Sequence, residues 1–289
     1  MRPLRNITGA TAGLEAYKTM KTRIITAVVL LPLFLLALWV LPTVVTAALF
    51  MILAALAAFE LLHSTQLVRH PRLLTYTMVM AALTALWSWL GGTYVWALLG
   101  ILAFYMILFG EMMVSHVKLQ LDRISLCMAA GVLVPFLLTS LVRIQGMEHG
   151  RIFVIIPLIM SFVSDTGGYF AGRAFGKHKL APAISPKKTV EGAVGGVLAA
   201  IAVMLLYGLV LQLAFHMEVN YLYCAVYGAL GSFGAIFGDL SMSVIKRQTG
   251  IKDYGKLFPG HGGVLDRFDS VLVAGPLAEL LLLLIPLAV

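Results

Sequence analysis

Between Asp239 and Ser270 the chain carries four acids, five bases and a histidine, although charged residues make up only 12% of its 289 residues. On a helix, Asp239, Ser243, Lys246 and Arg247 stand at i, i+4, i+7 and i+8 and share one face. Asp266 and Asp269, spaced i, i+3, point the same way once a helix begins beside them. Acids suited to a hard cation therefore lie close to bases suited to phosphate, the combination that phosphoryl chemistry on a nucleotide requires.

A second group lies upstream. Asp165, in Ser164-Asp165-Thr166-Gly167-Gly168-Tyr169, falls inside an apolar segment, where an acid costs roughly 2.5–3.5 kcal/mol and so calls for a polar cavity or a partner. Gly167, Gly168 and Gly172 permit close approach of another backbone. Ser185, Lys187, Lys188 and Thr189 stand just before the next apolar segment, where the free amides and dipole of a starting helix favour an anion. They form a plausible triphosphate cradle without the Gly-rich pattern of a P-loop. The competing reading of two lysines at such a boundary is that they only fix membrane orientation.

The elements that must position these residues are membrane helices. Apolar residues make up 61% of the chain, against roughly 45–50% in soluble domains. Nine apolar segments of spanning length are predicted, near 24–41, 44–62, 73–90, 94–110, 124–142, 152–172, 191–214, 221–245 and 270–288. The fold class is thus all-α and polytopic. With the N-terminus cytoplasmic and the C-terminus outside, nineteen of the 21 Lys and Arg fall in cytoplasmic segments, leaving Arg143 and Arg151 in an outside loop. Residues 1–23 read as a cytoplasmic basic arm, with a retained first helix preferred over a cleaved signal peptide. Residues 24–150 read as scaffold and 151–289 as the catalytic region, with cytoplasmic loops at 173–190 and 246–269. Cys127 and Cys224 sit in apolar runs as free thiols. Glu60 and Glu279, intramembrane but outside any motif, read as partly hydrated or helix-bonded. The net charge of +8 suits membrane orientation and anionic headgroups, with no nucleic-acid partner expected.

The string Ser243-x-x-Lys246-Arg247, Lys252-Asp253-x-Gly255 and Pro259-x-His261-Gly262-Gly263-x-x-Asp266-Arg267-x-Asp269 resembles the signature of the phosphatidate cytidylyltransferase (CDP-diacylglycerol synthase) family. Ser185-Pro-Lys-Lys-Thr189-x-Glu191-Gly192 and Asp165-Thr166-x-x-Tyr169 resemble it too, so the likeness spans about 160–272. It implies that CTP and phosphatidate give CDP-diacylglycerol and pyrophosphate with Mg²⁺ as cofactor. Asp239, Asp266 and Asp269 are then the expected metal ligands, although Asp269 could instead cap the helix that follows it. Lys246, Arg247 and Arg267 would act on the phosphates, and His261 would bind phosphate or assist proton transfer. Asp165, Ser185, Lys187, Lys188, Thr189 and Glu191 would contact substrate from the first loop. Ser243, Lys252, Asp253, Gly262 and Gly263 would do so from the second, the two glycines by letting amides approach an anion.

The expected partners are CTP, phosphatidate and membrane lipids, with a homodimer left open. Size and topology together suggest a bacterial inner membrane with the site facing the cytoplasm. Three other functions compete. A CTP-dependent lipid kinase would keep the nucleotide site and change the acceptor. A transporter would place the charges around a midplane cavity between inverted repeats, yet no repeat is visible. A CDP-alcohol phosphotransferase would need a spaced aspartate motif that is absent.

Overall fold

The computed structural model describes residues 28–91, 93–115, 119–258, 260 and 262–288. The basic arm over 1–23 and His261 lie outside the described residues. In hydrocarbon every backbone N–H and C=O must be satisfied within the chain, which makes apolar segments of this length helical. The first, α1, is described over Val28–Trp39. Seven helices that follow are long and apolar enough to cross a membrane: α2 (Thr43–Ser64), α3 (Pro71–Leu90), α4 (Tyr94–Val114), α5 (Leu121–Gln145), α6 (Gly150–Phe175), α7 (Val190–Phe215) and α8 (Tyr221–Gln248). The one-turn α9 (Leu265–Phe268) and the shorter apolar α10 (Val271–Leu284) complete the order. The all-α, polytopic membrane fold is therefore present, and each predicted apolar run contains helix. One antiparallel hairpin, β1 (Lys179–Ala181) and β2 (Ser185–Thr189), interrupts the loop after α6.

Local chemistry sets the helix limits. Thr189 caps α7 by accepting from the Gly192 amide at 3.1 Å, and Asn220 caps α8 by accepting from Leu222 and Tyr223. Two helices contain a π turn, Ala129–Leu133 in α5 and Ile159–Val163 in α6. In α5 the cause is visible at Pro135, which has no N–H to give to the carbonyl four residues back. That carbonyl, on Gly131, accepts instead from Thr84 Oγ1 of α3 at 3.1 Å. In α6 the π turn ends at the residue before Ser164 and Asp165, and so sets the direction in which both leave the helix.

Packing divides the bundle. Helices α2, α3 and α5 build one half of a continuous core, with α4 at its rim and only Phe104 and Leu108 of α4 buried. In the other half α6 and α7 are in backbone contact. A Cβ on Gly192 would stand 2.7 Å from the Gly168 carbonyl oxygen, so only glycine fits there. The small-residue stripe of α8 meets α7 at Gly228 and the chain before α10 at Gly238. Both cysteines are buried and free.

One sequence expectation changes. The hydropathy break puts Arg143 in a loop, but α5 runs on to Gln145 and Arg143 turns into the bundle. Its Nε and Nη2 donate to the two carboxylate oxygens of Glu279 at 2.6 and 2.7 Å, and Nη1 donates to Ser88, Phe136 and Thr139. Of the two readings of Glu279, partly hydrated or helix-bonded, the second is found: it is bonded to α5 as the partner of a bidentate ion pair.

Candidate active site

Helices α6, α7 and α8 and the hairpin enclose a cavity of about 440 Å³. Asp165 and Arg173 of α6, Ser185, Lys187, Lys188 and Thr189 of β2, and Asp239 of α8 line it. The first loop is therefore folded as a hairpin laid against the helix ends. Lys188 Nζ stands 2.5 Å from Asp239 Oδ2, joining the two signature regions directly. Asp165 accepts from Ser270 Oγ at 3.1 Å, bringing in the start of α10. Asp269, next to Ser270, lies within electrostatic reach of both Asp165 and Asp239. Burial, with the charge of Asp239 second, pushes the Asp269 carboxyl up to about 7, and Lys246 opposes the rise.

A second cluster adjoins the first. Lys246 Nζ lies 3.1 Å from Asp266 Oδ1 and 3.9 Å from Asp269 Oδ2, so the i, i+3 aspartates do meet one lysine. Asp266 Oδ2 accepts from the amides of Tyr254 and Gly263 at 2.7 and 3.0 Å. Asp266 thus closes the loop on itself and holds Lys246. This competes with its expected role as a metal ligand. The Gly263 amide is likewise engaged by Asp266 rather than left for an anion. Gly262 adopts a φ of +87° open to glycine, and its carbonyl accepts from the Phe258 amide.

Several other predicted residues build the cradle more than they fill it. Arg247 donates through Nε to the Ile184 carbonyl at 3.0 Å, tying α8 to the hairpin turn. Glu191 accepts from the amides of Lys177 and His178 and stands 2.6 Å from His178 Nδ1, closing the base of the hairpin. Ser243 is buried, while Arg267 is exposed within reach of the charge on Asp165. Lys252 and Asp253 are exposed on the second loop and do not line the cavity.

Sequence reasoning missed the grip on that loop. Glu60 of α2, 5% exposed, accepts from the amides of Val264 and Leu265 at 2.9 and 3.0 Å. Ser64, one turn along α2, donates to the Tyr254 carbonyl. Tyr254 is fully buried, and its hydroxyl donates to the Met242 carbonyl at 2.9 Å. The one available signal was an acid inside an apolar run.

Among the described residues no group of three or more acidic, histidine or cysteine side chains is gathered closely enough to ligate one ion. Magnesium does not need such a group, because it keeps several waters and takes one or two carboxylates together with substrate phosphates. Asp239 and Asp269, with Asp165 nearby, fit that requirement better than Asp266: Asp239 gives only Oδ2 to Lys188 and Asp269 only Oδ1 to the Ser270 amide, whereas both oxygens of Asp266 are hydrogen-bonded.

A family model described as the cytidylyltransferase family matches residues 21–285. The phosphatidate cytidylyltransferase of Staphylococcus epidermidis is 43% identical over 136 residues, which is 47% of this chain and 51% of the relative. The protein of that name from Bacillus subtilis is 35% identical over 164 residues, 56% of this chain and 60% of the relative. The Staphylococcus aureus protein is 40% identical over 136 residues, 47% of this chain and 51% of the relative. The chain thus spans between half and three fifths of the length of these curated relatives. Because the family model runs from ahead of α1 to the end of α10, the chain belongs to the cytidylyltransferase family.

Proposed function

We infer that the protein joins CTP to phosphatidate, giving CDP-diacylglycerol and pyrophosphate. The observation that carries this reading is the Lys188–Asp239 pair, with Asp165 and Lys187, in one cavity of an apolar bundle. Membership of the family and the names of the relatives support the choice of substrates.

In the proposed reaction a phosphate oxygen of the lipid attacks the α-phosphorus of CTP in line. A P–O bond forms there as the bond to the pyrophosphate oxygen breaks, and its electron pair leaves with pyrophosphate. The lipid phosphate is already ionised near neutral pH, so no residue has to remove a proton from the nucleophile. Both reactants are anions, and the task of the side chains is to offset their repulsion and hold them aligned. Lys187, Lys188 and Arg173 present positive charge to the cavity, and Arg247 keeps its two Nη groups beyond the Nε bond that holds the hairpin. Lys246 stands behind Asp269, ordered by Asp266. A magnesium ion held by Asp239 and Asp269 would supply positive charge across the phosphate oxygens and on the leaving pyrophosphate. The site would face the cytoplasm of a bacterial inner membrane, an orientation supported by the crowding of Lys and Arg into the arm and loops on one side.

Purified protein with phosphatidate, Mg²⁺ and CTP labelled at the α- or γ-phosphate tests the reading. Transfer of the α-label into lipid with release of pyrophosphate is expected. Transfer of the γ-label would make the protein a lipid kinase, and no transfer to any phospholipid or polyprenol would end the enzyme reading.

A further inference from the structure

Glu60 is a carboxylate in a membrane helix, it is hydrogen-bonded to no basic side chain among the described residues, and it lies close enough to Asp266 for the two acids to repel. Such a group is costly to bury, and a helix that needed only to pack would do better with an apolar residue. The carboxylate instead takes both of its hydrogen bonds from the amides of Val264 and Leu265, at the point where the second loop turns into α9. Gly255 and Gly263 lie so tightly against it that a Cβ on either would collide with the carboxylate. Ser64, on the same face of α2, holds the other end of the loop at Tyr254. Asp266 then ties Tyr254 to Gly263 from the opposite side and fixes Lys246. The chain from Gly263 to Asp269 is therefore anchored on α2, in the half of the molecule that contributes nothing to the cavity lining.

We propose that Glu60 is a positioning residue of the reaction: acting from α2, it sets where Asp269 and Lys246 stand relative to Asp239. The proposal rests on the transferase reading above. Glutamine has the same shape but can turn only one oxygen to two amides, so the 263–269 segment shifts while the helix remains. The hairpin, which carries Lys187 and Lys188, is not attached to Glu60 and keeps its geometry.

The test compares Glu60→Gln and Glu60→Asp with wild type in detergent, measuring kcat, the KM for CTP, the Mg²⁺ concentration for half-maximal rate, thermal unfolding, and hydrogen exchange of the 263–269 amides. Glu60→Gln is expected to lower kcat roughly 10- to 100-fold, as a displacement of about 1 Å can. It should raise the Mg²⁺ requirement, leave the KM for CTP within about 3-fold, and speed exchange at Val264 and Leu265. Glu60→Asp, which keeps the charge, should recover part of the kcat. A purely structural role would lower the unfolding temperature and leave kcat and the Mg²⁺ requirement of the folded fraction unchanged, and that result overturns the proposal. If Glu60→Gln does not fold, Ser64→Ala releases the Tyr254 end alone, and wild-type kcat in that variant overturns the proposal equally. If wild type itself transfers no label, the transferase reading fails, while the exchange rates still report whether Glu60 holds the 263–269 segment.

Discussion

Two charge clusters in this bundle are composed differently. In the first, Arg143 meets both oxygens of Glu279, two hydroxyls and a backbone carbonyl, and its guanidinium lies 4.1 Å from the centre of the Phe136 ring. Its charges cancel, and its donors are answered by the protein itself. In the second, Asp165, Asp239, Asp266 and Asp269 share the buried or half-buried Lys188 and Lys246, with Arg267 exposed nearby. Its acids outnumber its bases. Burial alone therefore does not mark a site in a membrane protein, because Arg143 and Glu279 are little exposed, as Lys246 and Asp266 are. The difference lies in whether the charges are balanced from within.

That contrast can be broken by substitution. Asp239→Asn should remove the largest share of activity, about 10²- to 10³-fold in kcat, the scale of losing one electrostatic stabiliser. It should disturb unfolding little, since it also removes repulsion from Asp165 and Asp269. α-Label transfer and thermal unfolding on the same preparation separate the two effects, and a stability loss without an activity loss would reverse the assignment of this cluster. Asp266→Asn should do both, lowering kcat and removing roughly 3–5 kcal/mol of stability, because it leaves Lys246 buried without its closest acid. Glu279→Gln should cost up to about 3 kcal/mol while leaving the turnover of folded molecules unchanged, and Arg143→Met with Glu279→Met should regain most of that loss. Activity that vanished with Glu279→Gln in folded protein would show that the balanced cluster also serves catalysis. The smallest effect is expected from His178→Ala, which loosens the hairpin base at an exposed pair. A rise of about 2- to 3-fold in the KM for CTP would measure it.

The legible part of this molecule was written in side chains. Asp165, Lys188 and Asp239 stand out as charges in or beside apolar runs, and the structure brings these three together in one cavity. What stayed hidden was written in the backbone. Glu60 was visible as an intramembrane acid, but its partners are two amides, and an amide looks the same at every position of a sequence. Arg143 was misplaced because a polar residue near a hydropathy break resembles a loop; its acceptor on α10 became apparent only when the helices were packed. The π turn ahead of Asp165 was likewise not read from residue type. Asp266 was recognised as important, yet its spacing could not show that its oxygens face Tyr254 and Gly263.

The bond from Glu60 to the Val264 amide also spans 204 residues of chain. At about 5–20 residues per second, a ribosome needs roughly 10 to 40 s to make that interval. Through this interval Glu60 lacks the amides that it accepts from in the folded protein, and the loop from Tyr254 to Asp269 can be seated only on a helix made long before it. The order of synthesis therefore runs from the anchor to the part that it holds.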